Sequence, residues 1–144
     1  MHDEKSGASV SISIPVAWGD MDAYQHVNNA MYARWIESAR IAFFTRVGLV
    51  QRMRDEGVGP ILARLTIEYR RPVTYPDMVR VEVATAKVGT TSLTLRYRIW
   101  SEDQKAEVAT GEDVSVVFDY RAGQPTAIDD ALRAAITALG GGPT

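Results

Sequence analysis

Val10, Ile12, Ile14 and Val16 alternate with Ser11, Ser13 and Pro15 near the start of the chain. A period of two is the pattern of a strand with one buried face. Pro15 has no N–H for a ladder, so this strand is expected at a sheet edge, or irregular there. From Ala30 to Val47 the period changes to that of a helix. Met31, Trp35, Ser38, Ala39 and Ala42 share one face, and Ile36, Phe43 and Val47 the neighbouring one. Ala30, Ala33, Ile41 and Phe44 widen the apolar sector, so the helix is expected to be buried on most sides. Asn28 is placed to cap its N-terminus and Gly48 to stop it. Glu37 and Arg40 are expected to pair at i,i+3 on its polar strip.

Gln51 to Glu56 reads as a short helical turn before Gly57-Val58-Gly59-Pro60, and strand patterns then take over. Ile61 to Tyr69 is one run, closed by Arg70-Arg71-Pro72. Val79, Val81 and Val83 alternate with Arg80, Glu82 and Ala84. After a turn at Gly89, Leu93, Leu95, Tyr97 and Ile99 alternate with Thr94, Arg96 and Arg98. Ser101 to Gln104 is a turn, and Val108 to Tyr120 is a long last strand with Val114, Val116 and Phe118 on one face. Asp129 to Leu139 reads as a C-terminal helix.

Consecutive strands joined by short turns pair antiparallel. A sheet with an apolar face needs a cover, and the helix over 29–47 is the one large candidate. One helix leaves the other face and the edges partly bare. Dimerisation that extends the sheet across a two-fold axis would cover them.

The 144 residues suit one domain, with its core over about 10–120. Composition, 46% hydrophobic and 24% charged, is that of an ordinary globular protein. A net charge of -2 gives no electrostatic case for a nucleic-acid partner. The absence of cysteine excludes disulfides, thiolate metal sites and a cysteine nucleophile. No apolar run approaches the roughly 18 residues of a membrane span, and Met1 to Gly7 lacks the apolar centre of a signal peptide. No membrane association and a cytoplasmic location are therefore expected. Residues 1–8 read as a polar tail and Gly140 to Thr144 as a flexible end.

Chemistry concentrates in Trp18-Gly19-Asp20-Met21-Asp22-Ala23-Tyr24-Gln25-His26-Val27-Asn28-Asn29. Two carboxylates, an imidazole and two carboxamides are delivered to the mouth of a helix, where unpaired N–H groups favour an anion. The residues leave alternatives open. Asp20 and Asp22 suit a turn as well as a site. His26 either orients a water or ties the loop. Asn28 either orients a water or caps the helix. No G-x-S-x-G elbow, P-loop or dinucleotide fingerprint is present. Asp20 and Asp22 lack further ligands at calcium-loop spacing, and the two histidines are far apart, so no metal is expected.

The element order and residues 18–40 resemble the hotdog fold, and more closely the acyl-CoA thioesterases of the 4-hydroxybenzoyl-CoA thioesterase type. Trp18-Gly19-Asp20-Met21-Asp22 and His26-Val27-Asn28-Asn29 carry that family's aromatic-Gly-Asp-x-Asp turn and its entry into the central helix, continued by Tyr32, Glu37 and Arg40. Tyr69-Arg70-Arg71-Pro72 with Tyr75-Pro76-Asp77 resembles the link between its second and third strands. The resemblance implies an α+β hotdog fold, an antiparallel β-sheet wrapped around a long central α-helix. It implies hydrolysis of an acyl-CoA to free acid and coenzyme A, with Asp22 as base or nucleophile and the backbone N–H of Asn29 or a neighbour as oxyanion donor. His26 joins them as a catalytic candidate. Asn28, Tyr32, Arg70, Arg71 and Lys87 are the candidates for binding substrate. Some relatives grip coenzyme A through a basic cluster at the turn between the third and fourth strands. Here that turn, Val88 to Ser92, has Lys87 alone beside it. No cofactor is implied beyond the coenzyme A of the substrate, and the assembly implied is a homodimer or homotetramer. The rival readings are a hotdog dehydratase or hydratase and a non-catalytic acyl-thioester-binding module.

Overall fold

The computed structural model describes residues 8–140. Most of the expected polar tail, residues 1–7, and the end beyond Gly140 lie outside them. The elements are β1 (Val10–Pro15), a 3-10 turn (Trp18–Asp20), α1 (Asn29–Arg46), α2 (Leu49–Glu56), β2 (Val58–Tyr69), β3 (Met78–Val88), β4 (Ser92–Ser101), β5 (Ala106–Asp119), β6 (Gln124–Pro125) and α3 (Asp130–Leu139). α1 and α2 meet at Gly48, whose φ of 85° lets one helix stop and the next begin without a Cβ penalty. The expected turn over 51–56 is thus the end of a two-turn helix.

The sheet runs β1-β3-β4-β5-β2, with the two-residue β6 beside β5. β1 is an edge strand, as Pro15 predicted, and β3, β4 and β5 pair antiparallel in sequence order. β2 departs from that order: it pairs with β5 from Val58↔Asp119 to Tyr69↔Ala109, not with β3. The link from Arg70 to Asp77 therefore crosses the end of the sheet, and β1 takes the place beside β3. An antiparallel sheet packed around one long helix is the hotdog architecture that the sequence resembles.

α1 buries Tyr32, Trp35, Ile36, Ala39, Phe43 and Phe44. It packs directly on the sheet at Gly111, where an added Cβ would lie 2.8 Å from the Ile36 δ-methyl. Gly111 sits across from Tyr97, and the rows beside it place Ala109, Ile99 and Val81 on the same inner face. The opposite side of α1 is open within the protomer. Ala30, Arg34, Glu37, Ser38, Ile41 and Thr45 are exposed, so burial on most sides is not met.

The polarity of β5 differs from its sequence pattern. Val114, Val116 and Phe118 do share a face, but it is the outer one, half-buried. The inner register carries Asp113 and Ser115 under the helix. What makes that tolerable is Arg40, whose Nε donates to Asp113 Oδ2 at 2.7 Å, joined by the Tyr97 hydroxyl at 2.7 Å. The expected Glu37–Arg40 pair is accordingly absent. Glu37 lies 3.8 Å from Arg34 in solvent, while Arg40 reaches inward to a carboxylate that is fully buried. Leaving the buried carboxylate unpaired would cost far more than forgoing a surface pair, so Arg40 turns inward. Burial raises the Asp113 pKa above the ordinary carboxylate value, against the lowering effect of hydrogen bonds from Tyr97 and Arg40. Asp113 Oδ1, Thr85 Oγ1 and Ser115 Oγ accept or donate nothing among the described residues, so the polar floor beneath α1 is incompletely paired.

Removing one member of this cluster leaves a buried charge unpaired, and Asp113→Ala is expected to cost about 3–5 kcal/mol in urea unfolding. Combining Arg40→Met with Asp113→Leu is expected to recover at least half of that loss. A double variant as unstable as the single one would show that packing, not the unpaired charge, sets the cost.

Candidate active site

The loop from Ala17 to Asn28 is built by its own polar groups. Asp20 Oδ2 accepts the Ala17 N–H at 2.8 Å, and the Asp20 carbonyl accepts the Asn28 N–H at 2.9 Å, closing the loop at its neck. Met21 and Val27 form an isolated antiparallel bridge. Beyond it, Asp22 and His26 are joined by Asp22 N–H to His26 O at 2.9 Å, and Gln25 turns the chain at a φ of 63°. Asp22 Oδ1 accepts the Tyr24 N–H at 2.9 Å. Asp22 Oδ2 has no partner among the described residues, and the side chain is exposed. Asp20 is thus a loop-closing residue, while Asp22 keeps one oxygen free.

The loop is fastened to the β2–β3 link. Val27 N–H donates to Val73 O at 2.8 Å and Val16 N–H to Asp77 O at 2.9 Å. Asp77 pins the far end of the link by accepting the N–H groups of Met78 and Asp103. Between loop, link and helix lies a cleft of about 280 Å³ lined by His26, Val27, Asn29, Tyr32, Tyr69, Arg70, Arg71 and Pro72.

α1 begins at this cleft with Asn29. Asn28 Oδ1 accepts the Ala30 N–H at 2.9 Å, and the Asn28 carbonyl accepts that of Met31. The Asn29 N–H is left without a partner among the described residues, on a residue that lines the cleft. It is one of the orphan donors that every helix N-terminus carries. Tyr69 packs edge-on against Tyr32, ring centroids 5.0 Å apart, and its hydroxyl donates to the Asn29 carbonyl at 3.2 Å. Burial raises the pKa of the Tyr32 phenol above its ordinary value. It therefore stays protonated and donates to Arg71 O at 3.1 Å. The His26 ring makes no hydrogen bond among the described residues and is exposed.

The structure brings together five of the residues singled out in the sequence: His26, Asn29, Tyr32, Arg70 and Arg71. Asp22 stands on the same loop but outside the lining. Asn28 is beside the cleft with its side-chain oxygen committed to capping. Lys87 is not brought in. Met78 lies at the cleft end of β3, and Lys87 is nine residues further along it, about 30 Å away at strand rise. Tyr69 was read as a strand end and as the start of the Tyr69-Arg70-Arg71-Pro72 link, but not as a site residue; its place just before Arg70-Arg71-Pro72 was the available signal. Among the described residues, no group of His, Asp and Glu is arranged to hold a metal ion, and no helix is long and apolar enough to cross a membrane.

Asn28→Ala is expected to destabilise the fold by about 1 kcal/mol through loss of the cap, seen as a lower Tm. An unchanged Tm would free the Asn28 side chain for a role toward substrate.

Known proteins share this sequence pattern and this fold. The profile of the thioesterase-like superfamily matches residues 16–136. The long-chain acyl-CoA thioesterase FadM of Escherichia coli is 27% identical over 113 residues, which are 78% of this chain and 86% of that one. A thioesterase from Thermus thermophilus, solved in complex with coenzyme A and Zn, is 30% identical with a TM-score of 0.84, covering 96% of this chain and 99% of that one. The PA2801 protein of Pseudomonas aeruginosa is 33% identical with a TM-score of 0.80, covering 90% and 98%.

Proposed function

Because this chain belongs to the thioesterase-like superfamily and is a thioester hydrolase, we propose that it cleaves an acyl-CoA to the free acid and coenzyme A, with Asp22 and Asn29 in the reacting positions. The reading is supported above all by one observation. Asn29, whose N–H is unpaired among the described residues at the start of an 18-residue helix, lines a cleft whose neighbouring loop carries a carboxylate with a free oxygen.

The chemistry asks for little more. A thiol leaving group, with a pKa of about 8.5 in the cysteine model, departs without a strong acid. Water adds to the thioester carbonyl, or the Asp22 carboxylate does so first. Negative charge then collects on the carbonyl oxygen, where the Asn29 N–H and the helix dipole stabilise it. The carbon–sulfur bond breaks, the thiolate leaves as coenzyme A, and the acyl group leaves as a carboxylate. If Asp22 is the base, it holds the proton taken from water. If it is the nucleophile, water hydrolyses the anhydride formed on it. In this reading His26, which lines the cleft, orients that water.

The same reading includes a homo-oligomer, a dimer or a pair of dimers, in the cytoplasm. β2 is a twelve-residue edge strand with Ile61 and Leu62 exposed by 42% and 44%, and α1 exposes Ile41 by 53%. An edge of this length with apolar side chains invites pairing. Its end, Tyr69, forms part of the cleft. Two-fold pairing along β2 would reverse the partner sheet and bring the partner's Lys87 end to the cleft end of this one.

Thiol release from aromatic and aliphatic acyl-CoAs, short to long, is expected for the wild type and to fall at least about a hundredfold in a folded Asp22→Asn. Equal turnover by both proteins would remove Asp22 from the reaction. Turnover of no acyl-CoA at all would shift weight to a carrier-bound acyl group or to the dehydratase and binding readings. Sedimentation at micromolar concentration is expected to give a dimer or tetramer, and a lone monomer would overturn the assembly.

A further inference from the structure

The two arginines of the cleft, adjacent in the chain, stand in opposite electrostatic situations. Arg70 is spent. Its Nη2 lies 3.0 Å from Glu68 Oε1 and 3.2 Å from Thr110 Oγ1, and its Nε lies 3.5 Å from Glu107 Oε1. Glu107 also accepts from Arg98 at 2.7 Å, and Arg98 leads on to the nearly buried Glu82 at 3.4 Å. Arg70 is therefore one node of a charge lattice on the outer face of the sheet. An anion approaching it meets two carboxylates.

Arg71 is the reverse. Its guanidinium has no carboxylate and no other acceptor among the described residues, and it is exposed. Its main chain, by contrast, is fixed on both sides. The N–H donates to Val108 O at 3.1 Å, and the carbonyl accepts the Tyr32 hydroxyl at 3.1 Å. The next residue is held as well, since Pro72 O accepts from Gln104 Nε2 at 2.8 Å. A rigid anchor carrying an uncommitted planar fork is the arrangement that favours bidentate binding of a phosphate. The helix N-terminus and Arg71 lie on the lining of one cleft, so a single ligand can present a carbonyl to the first and an anionic group to the second.

We infer that Arg71, and not Arg70, binds a phosphate ester of the thioester's carrier. This rests on the thioesterase reading of the cleft. Three phosphates share that chemistry: that of the phosphopantetheine arm, common to coenzyme A and carrier proteins, and the adenosine 5′-phosphate and ribose 3′-phosphate that carrier proteins lack.

The test is calorimetric titration of the whole protein with coenzyme A, dephospho-coenzyme A, phosphopantetheine and pantetheine. Wild type, Arg71→Gln and Arg70→Gln are compared after urea unfolding establishes that each is folded. Loss of a charge-assisted contact is expected to weaken coenzyme A binding about tenfold or more in Arg71→Gln. Pantetheine should lose much less, and Arg70→Gln should lose less than Arg71→Gln with every phosphate-bearing ligand. A loss that persists with dephospho-coenzyme A and phosphopantetheine assigns the shared phosphate; one seen with coenzyme A and dephospho-coenzyme A alone assigns the adenosine 5′-phosphate; one confined to coenzyme A assigns the ribose 3′-phosphate. Equal binding of coenzyme A by wild type and Arg71→Gln overturns the inference, as does a larger loss in Arg70→Gln, or no binding by the wild type. Wild-type turnover of a phosphate-free acyl-N-acetylcysteamine thioester reads the thioesterase function separately. Absent turnover with intact, Arg71-dependent coenzyme A binding would fault that function and not the phosphate contact.

Discussion

One buried interaction fixes where the central helix sits. Asp113 lies on the inner face of β5 with no exposure to water, and Arg40 crosses from α1 to meet it while Tyr97 donates from β4. A buried carboxylate without partners costs several kcal/mol, so the helix has little freedom to slide or rotate. Turning α1 by one residue would carry Arg40 about 100° round the helix and strand the charge. Close packing works in the same sense. Ile36 fits against Gly111 one row away, where an added Cβ would lie 2.8 Å from its δ-methyl and oblige that side chain to move. Charge pairing and contact together set one register of helix on sheet.

That register decides the position of the α1 N-terminus, about 16 Å up the helix from Arg40. The rest of the candidate site is then assembled around a fixed point. Asn28 turns the chain into the helix, Asp20 closes the loop behind it, and Val27 ties the loop to Val73 of the β2–β3 link. The link passes the cleft because β2 pairs with β5 and not with β3, so the chain must cross the sheet end to reach β3. Tyr69 then bonds the first residue of the helix, and Tyr32 bonds Arg71. The site is built from three segments, yet each is fastened to the next by a main-chain or phenolic hydrogen bond.

Charge is distributed unevenly over this frame. On the outer face, arginine and glutamate alternate between neighbouring strands and neutralise one another, as with Arg96 and Glu112 or Arg98 and Glu107. Such pairs contribute little each. Their larger effect is to leave few cations uncommitted near the cleft, which separates Arg71 from Arg70 although the two are neighbours in sequence.

The chain alone determined the period of each element. Alternation in β1 and β4, the apolar run of α1, the cap at Asn28 and the stop at Gly48 are local properties, and the structure has them where the pattern put them. Pro15 limited its strand to an edge or an irregularity, since a missing N–H is a local fact, and the sheet took the first. The motif from Trp18 to Asn29 was legible for the same reason: it is contiguous, and its residues fold back on themselves. Partners distant in sequence were not legible. Arg40 was matched to Glu37 because that neighbour was visible, whereas Asp113 lies 73 positions away and outcompetes it through burial. Val114, Val116 and Phe118 read as a face, but period cannot say which face turns inward, and the Arg40–Asp113 pair decided it. Lys87 and Arg71 were alike in sequence as basic residues near a turn. Only the sheet order separated them, because the distance between strands and the pairing of charges are set by topology and not by position along the chain.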